Sequence, residues 1–98
     1  MKNIKTILAI TLFLSVFSIS CKKAAIASFS TTQNGTGTVY FNNTSTHADS
    51  YNWDFGDGTN STETSPTHTY SALGSYNVVL TANSSSGDGT NTQNLNVQ

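Results

Sequence analysis

The chain has 98 residues, a formal net charge of −1 and one cysteine, so it holds a single small domain that folds without an internal disulfide. All four basic residues (Lys2, Lys5, Lys22 and Lys23) precede residue 24, and the remainder carries five acids and no Lys or Arg. Nucleic-acid binding needs basic groups to displace counterions from phosphates, so that class is excluded, as is any chemistry that needs a lysine in the domain.

The first segment, MKNIKTILAITLFLSVFSISC, opens on Lys2 and Lys5, runs apolar from Ile7 to Ile19 and closes on small residues. That order is a secretory signal. Its apolar run of about 13 residues falls short of the roughly 20 that a membrane-spanning helix needs, which weighs against a retained anchor. The only cysteine, Cys21, stands where the signal ends. SISC resembles the lipobox of bacterial lipoproteins, in which the cysteine is diacylated and becomes the new N-terminus. Ser20 fits that pattern, and Ser18 replaces its usual leucine. Ser18 and Ser20 also satisfy ordinary signal-peptidase cleavage, so both processing routes stay open. The position of the one cysteine and the two lysines behind it favour lipidation, since basic residues suit an anionic membrane surface. The expected organisation is a signal peptide over 1–20, a lipidated Cys21 with a short tether to 25, and a β domain over 26–98. The expected location is the bacterial cell envelope, anchored to a membrane, at the outer membrane or cell surface.

From Ser28 onward, 35 of 71 residues are Ser, Thr or Asn, which disfavours helix interiors. No segment has apolar residues at helical spacing, and several alternate strictly, as half-buried strands do. IASFS places Ile26 and Phe29 near a first strand with imperfect alternation, and NGTG at 34–37 is a turn. TVYFN points Val39 and Phe41 to one face and Thr38, Tyr40 and Asn42 to the other. SYNWDF points Tyr51, Trp53 and Phe55 inward and Asn52 and Asp54 outward, and GDG turns the chain. TNSTETS reads as a weak strand or loop. PTHTY follows the only proline, Pro66. SYNVVLTA points Tyr76, Val78, Leu80 and Ala82 inward, with Asn77, Val79 and Thr81 outward. NSSSGDG is a hairpin loop, and a last strand carries Leu95 and Val97. Short alternating strands separated by turn residues predict an all-β fold, a sandwich or barrel. The aromatics at period two argue against disorder.

Trp53 and the later LGSYNV are spaced like the buried Trp of strand C and the tyrosine corner of immunoglobulin-type sandwiches, which gives Tyr76 the corner and Val78 the following inward slot. With no disulfide there, Trp53 is expected to pack on aliphatic carbon and to carry much of the core. Three blocks, WDFGDG at 53–58, PTHTY at 66–70 and GSYNVVLTA at 74–82, together resemble the PKD (polycystic kidney disease repeat) domain. The match rests on Trp53, Asp54, Phe55, Gly56, Asp57, Gly58, Pro66, His68, Tyr70, Gly74, Tyr76, Val78 and Leu80. ASF at 27–29 and GTVYFNNTS at 37–45 fit the first two strands. The resemblance implies an immunoglobulin-like sandwich of about seven strands that binds, spaces or adheres outside cells and does not catalyse. It also implies a structural role for His68.

Asp54 and Asp57 could be read as catalytic carboxylates, but Asp-Gly is a turn pair and Asp side chains bond backbone amides in turns. No motif of known catalytic mechanics is present, so the chain reads as a non-enzyme without a cofactor. Asp49, Asp54 and Asp57 could supply oxygens to calcium, which some PKD-like domains bind, although no EF-hand spacing accompanies them. His47 reads as solvated. Asn52, Asn77 and Thr81, joined by Asp54, Asn94 and Asn96, form a polar outward face able to hydrogen-bond sugars and equally suited to plain solvation. Tyr40 is the one aromatic expected outward. The sequence therefore predicts a non-catalytic binding or adhesion module for protein or polysaccharide, joined to the membrane through Cys21. The alternatives are an accessory subunit packed on an envelope partner and a calcium-stabilised spacer.

Overall fold

A computed structural model of the chain describes residues 23–98. Residues 1–22, with the expected signal segment over 1–20 and Cys21, lie outside the described residues. Seven strands follow in order: β1 (Phe29–Gln33), β2 (Thr38–Asn43), β3 (Ser50–Asp54), β4 (Asn60–Ser61), β5 (Thr67–Thr69), β6 (Gly74–Asn83) and β7 (Gly89–Val97). They form two antiparallel sheets, one of three strands in the order β1-β2-β5 and one of four in the order β4-β3-β6-β7. This is an all-β sandwich.

The period-two pattern of each strand sends one set of side chains between the sheets. The three-stranded sheet contributes Phe29, Val39 and Phe41, and the four-stranded sheet Trp53, Val78, Leu80, Ala82, Leu95 and Val97. Trp53 is fully buried beside Leu80, its partner in register on β6. Three phenylalanine rings surround it. Phe29 meets it edge-on at 5.0 Å, Phe41 is tilted at 5.3 Å and Phe55 is stacked at 6.4 Å. Val39, Val78 and Leu80 supply aliphatic side chains in the same buried cluster, but the rings around Trp53 were missed in the sequence reading: β1 and β2 each aim a phenylalanine at it. The indole N–H donates to Glu63 O at 2.9 Å, so the one polar atom of the ring is satisfied.

Two boundaries differ from the sequence reading. Ile26 was expected beside Phe29 near the first strand, but it is 61% exposed and forms an isolated bridge with Thr46. The buried alternation is Ala25, Ala27 and Phe29, with two small residues holding the inward places. Ala25, expected in the tether, is therefore part of the core, and its N–H donates to Gly87 O at 3.0 Å. The packing there is tight: a Cβ on Gly89 would stand 2.4 Å from Ala25 O.

The edges β1 and β7 belong to different sheets and are joined largely by side-chain amides. Asn91 Nδ2 donates to Ala27 O at 3.3 Å and Gln93 Nε2 to Phe29 O at 2.8 Å. Gln33 Nε2 donates to Asn96 O at 2.9 Å while its Oε1 accepts from Gln98 N at 2.9 Å. Such a seam covers both sheet edges, which would otherwise expose backbone groups to pairing with other chains.

Trp53→Ala would remove the central ring and cost about 3–5 kcal/mol, a large part of what a domain of this size holds. Urea denaturation checks this: most of the variant is expected to be unfolded, and near-native stability would contradict the central place of Trp53.

Candidate functional site

The stretch after β3 forms one end of the sandwich. Asp54 Oδ1 accepts from Gly56 N at 3.0 Å, closing one turn, and Asp57 Oδ1 accepts from Thr59 N at 3.1 Å, closing the next. Gly56 has φ +83°, and a Cβ there would stand 2.4 Å from Asn77 O, so both the backbone angle and the close approach demand glycine. Gly58 also has positive φ, at +92°. Asp57 gains further partners. Thr59 Oγ1 donates to its Oδ1 at 2.5 Å, and His68 Nε2 lies 2.7 Å from its Oδ2.

His68 occupies the inward position of β5, in register with Val39. Its ring stacks on Phe55 at 4.1 Å and meets Tyr70 edge-on at 4.6 Å. Tyr70 in turn packs against Tyr76 at 4.3 Å and donates its hydroxyl to Phe55 O at 2.8 Å. Tyr76 OH donates to Ala72 O at 2.6 Å, and buried Pro66 accepts from Phe41 N at 3.0 Å. Gly74 opens β6 at φ +141°. The three motif blocks thus meet at one end as a ladder of rings closed by an aspartate.

The electrostatics follow from this packing. Burial works against the charge of Asp57, but the bonds from Thr59 and His68 together outweigh it and hold the carboxyl below its ordinary value of 3.8. Burial, with the nearby charge of Asp57 adding to it, pushes the Tyr70 phenol up. Thr59, His68 and Asp57 do not form a nucleophile relay. Such a relay needs the two ring nitrogens to serve different partners, whereas here Nε2 alone faces both the hydroxyl and the carboxylate.

The three carboxylates considered for calcium are not one site. Asp49 precedes β3, where its N–H donates to Asn83 O, while Asp54 closes that strand and Asp57 lies in the turn beyond. Among the described residues no three His, Cys, Asp or Glu side chains are grouped as metal ligands. His47 is exposed, with φ 60°.

The candidate ligand residues divide between the two outer faces. Asn52 and Thr81 are neighbours in register on the four-stranded sheet, where Asn94 Nδ2 donates to Asn77 Oδ1 at 3.0 Å. Tyr40 belongs to the other sheet. It is 45% exposed and stands between Thr32 of β1 and Thr67 of β5. The next outward positions of β2 are Thr38, whose hydroxyl lies 2.9 Å from that of Thr69, and Asn42. The outer face around Tyr40 is therefore an aromatic ring set among hydroxyls and an amide, without a charged side chain. No concave pocket opens among the described residues. The sequence showed which residues point outward but not that Tyr40 and Asn52 lie on opposite sides.

A family model described as the PKD domain matches residues 23–98. The chain belongs to the PKD domain family. The PKD1 domain of Vibrio anguillarum Epp is similar at 32% identity and a TM-score of 0.69, covering 79% of this chain and 96% of that one. The PKD1 domain from the Vibrio cholerae metalloprotease PrtV is similar at 37% identity and a TM-score of 0.69, covering 78% and 99%. A structure of carbohydrate-binding modules from the β-sandwich superfamily aligns at 27% identity and a TM-score of 0.68, covering 79% of this chain and 35% of that one. Among curated proteins, the pre-pro-metalloprotease PrtV of Vibrio cholerae is 48% identical over 54 residues, and collagenase ColA of Bacillus cereus is 58% identical over 38. Those stretches are 51% and 39% of this chain but only 6% and 4% of the relatives. The similarity is thus confined to a small non-catalytic module of much longer proteins.

In this PKD domain the depressed Asp57 ties stability to pH. A carboxyl whose folded pKa lies below its unfolded one adds stability that is complete above the unfolded value and is lost as pH falls through the folded value. Urea midpoints taken from neutral pH into the region below about pH 4 are expected to fall, and Asp57→Asn is expected to flatten that acid limb. An unchanged acid limb in the variant would contradict the pairing.

Proposed function

We propose that this PKD domain is the binding module of an exported, lipid-anchored envelope protein, and that it engages a carbohydrate or protein ligand through the outer face of its three-stranded sheet. One observation carries the reading: Tyr40 is an exposed ring at the middle of that face, flanked in register by Thr32 and Thr67. A tyrosine offers an apolar ring with a polar tip, so it can cover the C–H face of a sugar while neighbouring hydroxyls bond its substituents. The open, pocket-free shape suits an extended ligand laid across the strands better than a small molecule. The likeness to carbohydrate-binding modules supports carbohydrate as the first class to try.

The anchor rests on the sequence. Export through the signal segment followed by diacylation of Cys21 would place the domain at the outer membrane or cell surface, and acyl chains together with Lys22 and Lys23 supply the more than one membrane signal that stable anchoring needs. A second reading is an accessory subunit that packs on an envelope partner. Leu73, 66% exposed beside the Gly37 turn, favours it.

Two measurements test the main reading. In polysaccharide and glycan-array binding, Tyr40→Ala is expected to weaken the interaction about five- to tenfold, the factor that roughly 1–1.4 kcal/mol of ring contact represents, without lowering the melting temperature. Equal binding by the variant would remove this face from the proposal. Mass spectrometry of the mature protein is expected to find a diacylglyceryl group on Cys21, and an unmodified Cys21 would refute the anchor.

A further inference from the structure

We infer that the domain stands on a phospholipid surface in one orientation, with the end that carries Ile26 against the lipid and the Tyr40 face raised clear of it. The inference rests on the anchor at Cys21 proposed above. It follows from where the folded unit begins. Ala25 is buried and bonded to Gly87, Ala27 is buried, and the backbone at Ala25 and Ala27 lies so close to Gly89 that a Cβ there would clash. The chain is therefore fixed to the sandwich from Ala25 onward.

Only Lys22, Lys23 and Ala24 separate that point from Cys21. Fully extended, the four residue steps from Cys21 to Ala25 span at most about 14 Å. The ten residues of β6 span about 33 Å, so the tether is less than half the length of the sandwich. An anchored Cys21 must then keep the Ala25 end near the bilayer, and an upright placement with the far end on the lipid is out of the tether's reach.

The surface of the near end fits this placement. Ile26, 61% exposed, is one residue from the buried anchor point and is held in place by its bridge to Thr46. An aliphatic side chain is suited to the boundary between headgroups and acyl chains, and the two lysines of the tether are suited to lipid phosphates. The loop between β6 and β7 lies at the same end, since Gly87 O receives the Ala25 N–H. The far end carries Leu73 and the Gly37 turn, whose N–H donates to Gln98 O at 3.0 Å. Tyr40 lies six residues along the β2 direction from Thr46, about 20 Å from the lipid-facing end. A ligand in the surrounding medium could therefore reach Tyr40 without the bilayer in the way.

The test uses the full chain processed in a bacterial envelope and reconstituted into phosphatidylethanolamine–phosphatidylcholine vesicles. Ile26→Cys and Leu73→Cys are labelled separately with a bimane fluorophore; an acylated Cys21 has no free thiol to react. With spin-labelled lipid headgroups as quencher, the probe at position 26 is expected to be quenched about threefold or more over that at 73, as a side chain within 5–10 Å of the headgroup boundary should be. Equal quenching, or stronger quenching at 73, in protein whose Cys21 is diacylated by mass spectrometry would overturn the orientation and leave the anchor standing. An unmodified Cys21 would overturn both.

Discussion

Both sheets of this domain are built against one ring. Trp53 is fully buried, and Phe29, Phe41 and Phe55 reach it from β1, β2 and the turn after β3. A domain of about 70 residues without a disulfide has little apolar area to spare, so a few large side chains must supply most of its cohesion. The two small inward residues, Ala25 and Ala27, let the N-terminal segment pass close to β7. The large rings then fill the middle of the sandwich.

The rest of the structure closes the ends and edges of that core with polar groups. At one end the ladder Phe55, His68, Tyr70 and Tyr76 continues the aromatic packing outward. Asp57 finishes it, holding Thr59 and His68 at once. Along one flank the amides of Gln33, Asn91 and Gln93 bond the carbonyls that the sheet edges leave over. The Ser, Thr and Asn richness of the chain, which could be taken for simple solvation, is partly spent on these bonds. Among the described residues no buried side-chain polar atom lacks a partner. The two carboxylates that first draw attention as chemistry are turn-closing groups, each bonded to a backbone amide two residues on.

This arrangement leaves the two broad faces free to differ. The four-stranded face is a polar array whose amides bond one another across strands, as Asn94 does with Asn77. The three-stranded face presents Tyr40 among hydroxyls. In a module whose relatives are parts of much larger bacterial proteins, the core is thus fixed while the two outer faces carry different side chains.

Much of the fold was legible in the residues themselves. Strict alternation in TVYFN, SYNWDF and SYNVVLTA determined which side chains go inward, because a strand's side chains must point to opposite faces in turn. The glycines and the aspartate of GDG, with Asp54 before them, determined where β3 stops. The sequence by itself therefore determined the class of fold, the buried tryptophan and the turn chemistry. It could not decide which sheet each strand joins, since period two separates inside from outside but not one sheet from the other. Only the tertiary structure placed Tyr40 and Asn52 on opposite faces and parted Asp49 from Asp54 and Asp57. Only it drew Ala25 into the core and joined Gln33 to residues more than 60 positions away. Those outcomes depend on how two sheets meet, and contacts between distant edges leave no periodic trace in the chain.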